Sequence, residues 1–231
     1  TRGLDPRPLF LFINLLEPHW RHLPPLADRH ATLPPGVGWL AATQISSQYY
    51  GPLMMAGKTV PGPLDETLRG LYAGAVRHQD RVLGELLAQL GNALDPEHTL
   101  LVVTADHGEN LGDSGRYDHV FALNDALVHV PLLVRFPGRL AKGRVEGLVS
   151  LVDVPVTIAD AVGGLGLRQD EGRSLLAGEG ATRNVVLAES DPYFGHLEPM
   201  AVQRGVRHDV GAFARTLRMA FDGRHRWVSA E

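Results

Sequence analysis

The sequence predicts an α/β fold, a sheet of buried strands covered by helices on both faces. Three observations carry this expectation. Short apolar runs recur along the chain, at 8–15 (PLFLFINL), 99–105 (TLLVVTA) and 128–136 (VHVPLLVRF), the second of them rich in β-branched residues. Such runs suit strands buried on both faces. A long segment of helical period lies between the first two. Polar clusters stand where two of the runs end, and in open α/β sheets functional sites collect at the carboxyl ends of strands.

The elements follow in order. The run 8–15 stops at Glu17-Pro18-His19-Trp20. Residues 21–63 are rich in Pro and Gly without a steady period, which predicts a loop or lid. Lys58 is the only lysine in that segment and a candidate contact for an anionic substrate. In 65–90, Leu68, Leu71, Ala75, Val82, Leu86 and Leu90 recur at three- and four-residue steps. Asp65 and Glu66 lie at the start, where the helix dipole favours negative charge, and Gly91-Asn92 suits the C-terminal cap. After the strands at 99–105 and 128–136, EGLVSLV (146–152) reads as a further strand. Asp153 then caps a short helix, VPVTIADAV, with Pro155 in its first turn. NVVLAES (184–190) is another strand. The tail, 210–231, holds a strand pair, RTLRMAF and RHRWVS, around Gly223.

Composition narrows the function classes. The chain has 231 residues, 44% hydrophobic and 21% charged, with a net charge of −4. This is room for one large domain. No basic stripe is present, which argues against a nucleic-acid partner. No apolar run is long enough to cross a bilayer, and no signal-peptide pattern is visible. Cysteine is absent, so disulfides and thiolate metal sites are excluded for these residues. The chain begins at Thr1 and ends in RHRWVSAE, a strand-like run cut short, so it is expected to be a piece of a longer protein. The sequence leaves oligomeric state open.

The chemistry lies at the strand ends. Asp106-His107-Gly108-Glu109 follows the apolar run at 99–105. Neighbouring side chains on a strand point to opposite faces, so Asp106 and His107 converge only if the chain leaves the strand there. Gly108 permits such an exit. A carboxylate with an imidazole makes a mixed oxygen and nitrogen site for a divalent cation. The alternative reading is a turn cap by Asp106 with a local hydrogen bond from His107. His19 and His119 are candidates to hold an anionic ester oxygen or to protonate a leaving group. Against this stands the ordinary solvated histidine, of which an 11-histidine chain has many. Glu109 is a candidate to orient a ligand from behind, or else a loop charge. Asp113 and Asp118 read as loop charges, and His129 as structural.

Taken as ordered blocks, these segments resemble the sulfatase family of the alkaline phosphatase superfamily. PLFLFINLLEPHWRH resembles the strand that ends in a catalytic histidine, which implies that role for His19. TLLVVTADHGENLGD resembles the second metal-binding segment, which implies Asp106 and His107 as ligands. YDHVFALNDALVHVPLLVRFPG resembles the next segment and places His119 against the ester group. VSLVDVPVTIADAVG and RTLRMAFDGRHRWV resemble later blocks, so the likeness spans most of 8–229.

The resemblance implies an alkaline-phosphatase-like mixed, mostly parallel sheet flanked by helices, incomplete at its amino-terminal side. It implies metal-dependent hydrolysis of small-molecule or carbohydrate sulfate esters, and it leaves the compartment open, with periplasmic or other extracytoplasmic settings common among relatives. Ca²⁺ is the implied metal, while ligand softness favours Mn²⁺ or Zn²⁺ for imidazole.

Three features depart from the family pattern. The acidic pair of the first metal segment is missing. So is the Cys or Ser-x-Pro-x-Arg motif whose first residue becomes formylglycine, and the nucleophile is expected from an upstream segment. Ser114 and Val120 stand where many relatives have His and Gly. The rival readings are a phosphodiesterase, phosphonate hydrolase or phosphoethanolamine-type transferase of the same superfamily, and a non-catalytic metal- or ligand-binding module.

Overall fold

A computed structural model describes residues 8–46, 60–164, 171–191 and 215–231. The helices are α1 (Leu26–Thr32), α2 (Trp39–Ser46), α3 (Gly62–Ala93), α4 (Asp125–Val128) and α5 (Asp153–Ala161). The strands are β1 (Leu101–Thr104), β2 (Asn110–Asp113), β3 (Arg116–Asp118), β4 (Leu132–Arg135), β5 (Val186–Ser190), β6 (Leu217–Phe221) and β7 (Arg226–Ala230). The class is α/β, as the alternation of strand and helix predicts.

The long helix forms where its periodicity places it and runs further at both ends. Pro61 and Pro63 open α3, since proline's fixed φ suits a first turn. Its far end is set by Pro96 rather than by Gly91-Asn92. Asp95, held extended before the proline, cannot continue a helix. One face of α3 buries Thr67, Leu68, Leu71, Gly74 and Ala75. Leu68 joins Val60 and Tyr117 in a small core, with Trp20, Ile45 and Leu64 packed against it.

Within 21–63, the described residues 21–46 contain α1 and α2, and α1 lies across α3 at two glycines. A Cβ on Gly70 would stand 2.6 Å from the Thr32 carbonyl oxygen, and one on Gly74 would stand 2.8 Å from the Thr32 hydroxyl. Sequence patterning reads side chains, and a contact made by missing side chains leaves no pattern. Beneath this crossing Asp28 is buried, within 3.4 Å of both Arg77 and His78.

The run 8–15 is not a strand among the described residues. Leu9, Phe10, Leu11 and Phe12 are each more than half exposed. A strand exists only through the neighbours that bond its backbone, and the described residues supply none to this run. The segment 146–152 likewise forms a single bridge, Leu148 with Arg183, in place of a strand. Among the described residues every strand pair is antiparallel: β1–β4, β2–β3, and the sheet β5-β6-β7. Between β1 and β4 the chain makes a hairpin and the single turn α4, which reverses direction.

Asp153 is fully buried within the first turn of α5. Its carboxylate accepts from the Ser150 and Arg173 backbone N–H groups at 2.7 and 2.8 Å and from the Arg183 guanidinium. Such a buried charge is stable only because it is fully partnered. His22 is buried too, edge-on to Trp20 and Tyr72, and its carbonyl accepts from the Ser46 hydroxyl at 3.1 Å. Burial pushes the His22 imidazole below its ordinary pKa, against the opposing pull of Glu109.

Two outcomes follow for the full-length protein. Gly70→Ala should lower stability by about 1–3 kcal/mol through overpacking against Thr32. Gly84→Ala meets nothing within 4 Å and should raise it by about 0.5–1 kcal/mol. Denaturant midpoints of the two variants check both signs. The lowered His22 pKa also carries a pH dependence. Its neutral form contributes stability in full above the unfolded value near 6.5, and that contribution is lost as pH falls through the lower folded value. Melting temperature should therefore fall more steeply between pH 7.5 and 5.5 in the native protein than in His22→Phe.

Candidate active site

The site is assembled around the exit from β1 and the hairpin β2–β3. Gly108 is required there by close approach. A Cβ at this position would lie 2.0 Å from the Ala126 carbonyl oxygen, and the Gly108 N–H donates to Leu127 at 2.8 Å. Its φ is not in the left-handed region, so crowding by α4 explains the glycine.

Beyond Gly108, Asn110 is fully buried and bridges two segments. Its Nδ2 donates to the Asp118 carbonyl at 3.0 Å, and its Oδ1 accepts from Asn124 Nδ2 at 2.7 Å. The Tyr117 hydroxyl donates to Asp65 on α3 at 2.8 Å. Together these bonds fix the hairpin to α3 and α4. Asp118 then takes a left-handed backbone, φ 71°, which short polar residues tolerate better than most. That kink redirects the chain as it enters His119.

Three histidines converge here from separate segments. The His107 and His119 rings stack with centroids 4.4 Å apart, and His19 lies 5.0 Å from His119 and 6.3 Å from His107. Each offers a nitrogen within 4.8 Å of the others. His107 Nδ1 is 2.8 Å from the Gly108 carbonyl oxygen, and His19 Nδ1 is 2.9 Å from that of Trp20. A carbonyl only accepts, so both Nδ1 atoms donate, and in neutral rings both Nε2 lone pairs stay open. This is the tautomer of a metal-binding histidine.

His119 differs. Asp118 Oδ1 stands 2.9 Å from its Nδ1, and Glu109 Oε2 stands 3.7 Å away. Asp118 foremost, then Glu109, raise the His119 pKa to about 10. Burial pushes the Asp118 carboxyl up, but the hydrogen bonds from His119 outweigh it and hold it below the ordinary carboxylate value.

Asp106 stands at the edge of this cluster. Its side chain is 92% exposed, with a carboxylate oxygen 3.9 Å from His107 Nε2. The His107 N–H donates to the same carboxylate oxygen at 3.1 Å, so the local cap coexists with the ligand geometry. Glu109 is inside the site, its side chain 5% exposed, with Oε1 buried and without a hydrogen-bond partner. A buried orphan carboxylate oxygen beside open imidazole nitrogens is a donor set that fits a divalent cation.

The structure thus brings together His19, His107, His119 and Glu109 and leaves Asp106 adjoining. Asp118 is a correction, since it pairs with His119 and is not a loop charge. Sequence patterning gives no signal for Asn110, because its partners, the Asp118 carbonyl and the Asn124 amide, are brought to it only by the fold. Lys58 lies outside the described residues.

Comparison with known proteins gives the family. A family model described as Sulfatase matches residues 3–164. Arylsulfatase K of Canis lupus familiaris is 33% identical over 98 residues, covering 42% of this chain and 18% of that protein. The multifunctional alkaline phosphatase superfamily protein PehA of Trinickia caryophylli is 34% identical over 111 residues, covering 47% and 21%. The structure of a phosphonate monoester hydrolase from Silicibacter pomeroyi superimposes with a TM-score of 0.60 at 26% identity, covering 90% of this chain and 41% of that one. The chain spans about a fifth of the length of these curated relatives and about two fifths of the solved structure. With the family model covering well over half of the residues, this chain belongs to the sulfatase family.

Proposed function

We propose that this chain carries the metal- and leaving-group side of an enzyme that hydrolyses sulfate esters of small molecules or carbohydrates. The convergence of His19, His107 and His119 beside Asp106 and Glu109 is the observation that carries the reading. It occurs in the segments that match the sulfatase model.

The nucleophile comes from residues outside this sequence, because the chain has no Cys and no Ser in a Cys/Ser-x-Pro-x-Arg pattern. A formylglycine there is the family expectation. Asp106, through its carboxylate, and His107, through Nε2, would hold the divalent cation. When bound, that ion supplies positive charge to the ester oxygens and to the nucleophile.

His19 keeps Nδ1 bonded to the Trp20 carbonyl and turns Nε2 toward the ester, where its protonated form donates to an anionic oxygen. His119 keeps Nδ1 toward Asp118 and gives the proton on Nε2 to the departing alcohol oxygen as the bond to sulfur breaks. Asp118 and Glu109 fix the ring and are positioning residues. Charge neutralisation by fixed groups carries most of the barrier reduction in such transfers.

A second reading is cleavage of phosphonate or phosphate diesters. It is favoured by the imidazole content of the donor set, which suits Mn²⁺ or Zn²⁺ better than Ca²⁺, and by the likeness to a phosphonate monoester hydrolase. Hydrolysis of nitrophenyl sulfate against a phenyl phosphonate ester, with metal content by mass spectrometry, separates the two in the full-length protein. Preference for the phosphonate with bound Mn²⁺ or Zn²⁺ would move the assignment.

Asp106→Ala should lower turnover by at least about 10³-fold and reduce bound metal. Near-normal rate and metal content would remove Asp106 from the site. His119→Ala should slow alkyl sulfates about 100-fold and nitrophenyl sulfate far less, because only a poor leaving group needs the proton. A Brønsted plot over leaving-group pKa reads the difference, and equal slowing would exclude the role.

A further inference from the structure

A groove of about 500 Å³ lies between the loop that carries His119 and the sheet β5-β6-β7. Strand alternation makes its floor. Arg226, Val228 and Ala230 are alternate residues of β7 and face it together, with Leu217 of β6 beside them. The opposite face of the same sheet carries Leu187 and Trp227 and is separate from the groove. The other wall is Arg116 and the segment 121–124, which follows His119 directly.

Three guanidinium groups rim this apolar floor. Arg226 is paired with Asp125 and lies over the Phe221 ring, 5.3 Å from its centroid. Arg116 Nη1 donates to the Phe121 carbonyl at 2.8 Å. Among the described residues neither Arg116 nor Arg215 has a carboxylate in ion-pair range, and the groove's own carboxylate, Asp191, accepts from the Thr216 hydroxyl at 3.4 Å. Arg226 is neutralised by Asp125, so two arginines face one aspartate and the groove keeps a positive balance.

The groove also adjoins the hairpin that carries the active-site loop. Arg116 and Asp118 are alternate residues of β3, and Asp118 holds His119. An apolar floor with forked cationic donors matches a sugar ring that carries a sulfate or carboxylate. We propose that this groove binds a second anionic substituent of the substrate, one that is not cleaved, and that Arg215 and Arg116 select polyanionic sugars over simple aryl esters. The substrate class rests on the sulfatase reading; the anion selectivity is testable without it.

The test uses the full-length protein and sulfonate isosteres, in which a methylene replaces the bridging ester oxygen. One isostere is monoanionic, and two others add an N-sulfate or a uronate carboxylate, which tells the two anions apart. The protein should bind at least one dianion more tightly than the monoanion. Arg215→Gln, at an exposed position, should weaken that dianion about tenfold and the monoanion less than twofold. Arg116→Lys should keep the bond to Phe121 and lose part of the same preference. Trp227→Ala, on the opposite face, should change neither.

Absence of any dianion preference in the native protein would overturn the groove assignment, as would equal weakening of both ligands in Arg215→Gln. A preference lost in Arg215→Gln, in a protein that cleaves no sulfate ester, would keep the groove and remove the sulfatase reading.

Discussion

The buried Asn110 amide is the constraint on which the site depends. It joins the end of β3, through the Asp118 carbonyl, to the start of α4, through Asn124. His119 lies in the loop closed by these two bonds. An unpaired amide at a fully buried position costs about 1–3 kcal/mol, so the loop cannot open one bond cheaply. The left-handed Asp118 is held in place by the same closure. Backbone strain of this kind persists where surrounding contacts over-determine it.

The same loop serves two surfaces. On one side it presents His119 and Asp118 to the histidine cluster. On the other, Arg116 and residues 121–124 form a wall of the cationic groove. Gly108 makes the arrangement compact, because only a residue without a Cβ lets α4 come so near the exit of β1. The groove and the histidine cluster are therefore positioned by one set of contacts, which suits a substrate gripped at two points.

Elsewhere the fold relies on close backbone approach and on satisfied buried charge. α1 rests on Gly70 and Gly74 of α3. Asp153 gathers donors from Ser150, Arg173 and Arg183, so one carboxylate joins α5 to two distant segments. These contacts are specific in geometry and spread widely in sequence.

Local patterning by itself determined the elements whose causes are local. The helical period of 65–90, the strands of 101–104, 132–135 and 186–190, and the tail pair around Gly223 all follow from side-chain spacing and turn residues. The residues of the proposed site, Asp106, His107, His19 and His119, were legible from their order after apolar runs and from the likeness of their blocks to one family. Tertiary structure decided what depends on partners distant in the chain. Among the described residues it left 8–15 without strand neighbours, replaced the strand at 146–152 by a single bridge, made helices of part of 21–63, and turned Asp118 from a loop charge into the partner of His119. It also raised the His119 pKa, since Asp118 and Glu109 stand beside the ring and outweigh its partial burial only once the hairpin has closed.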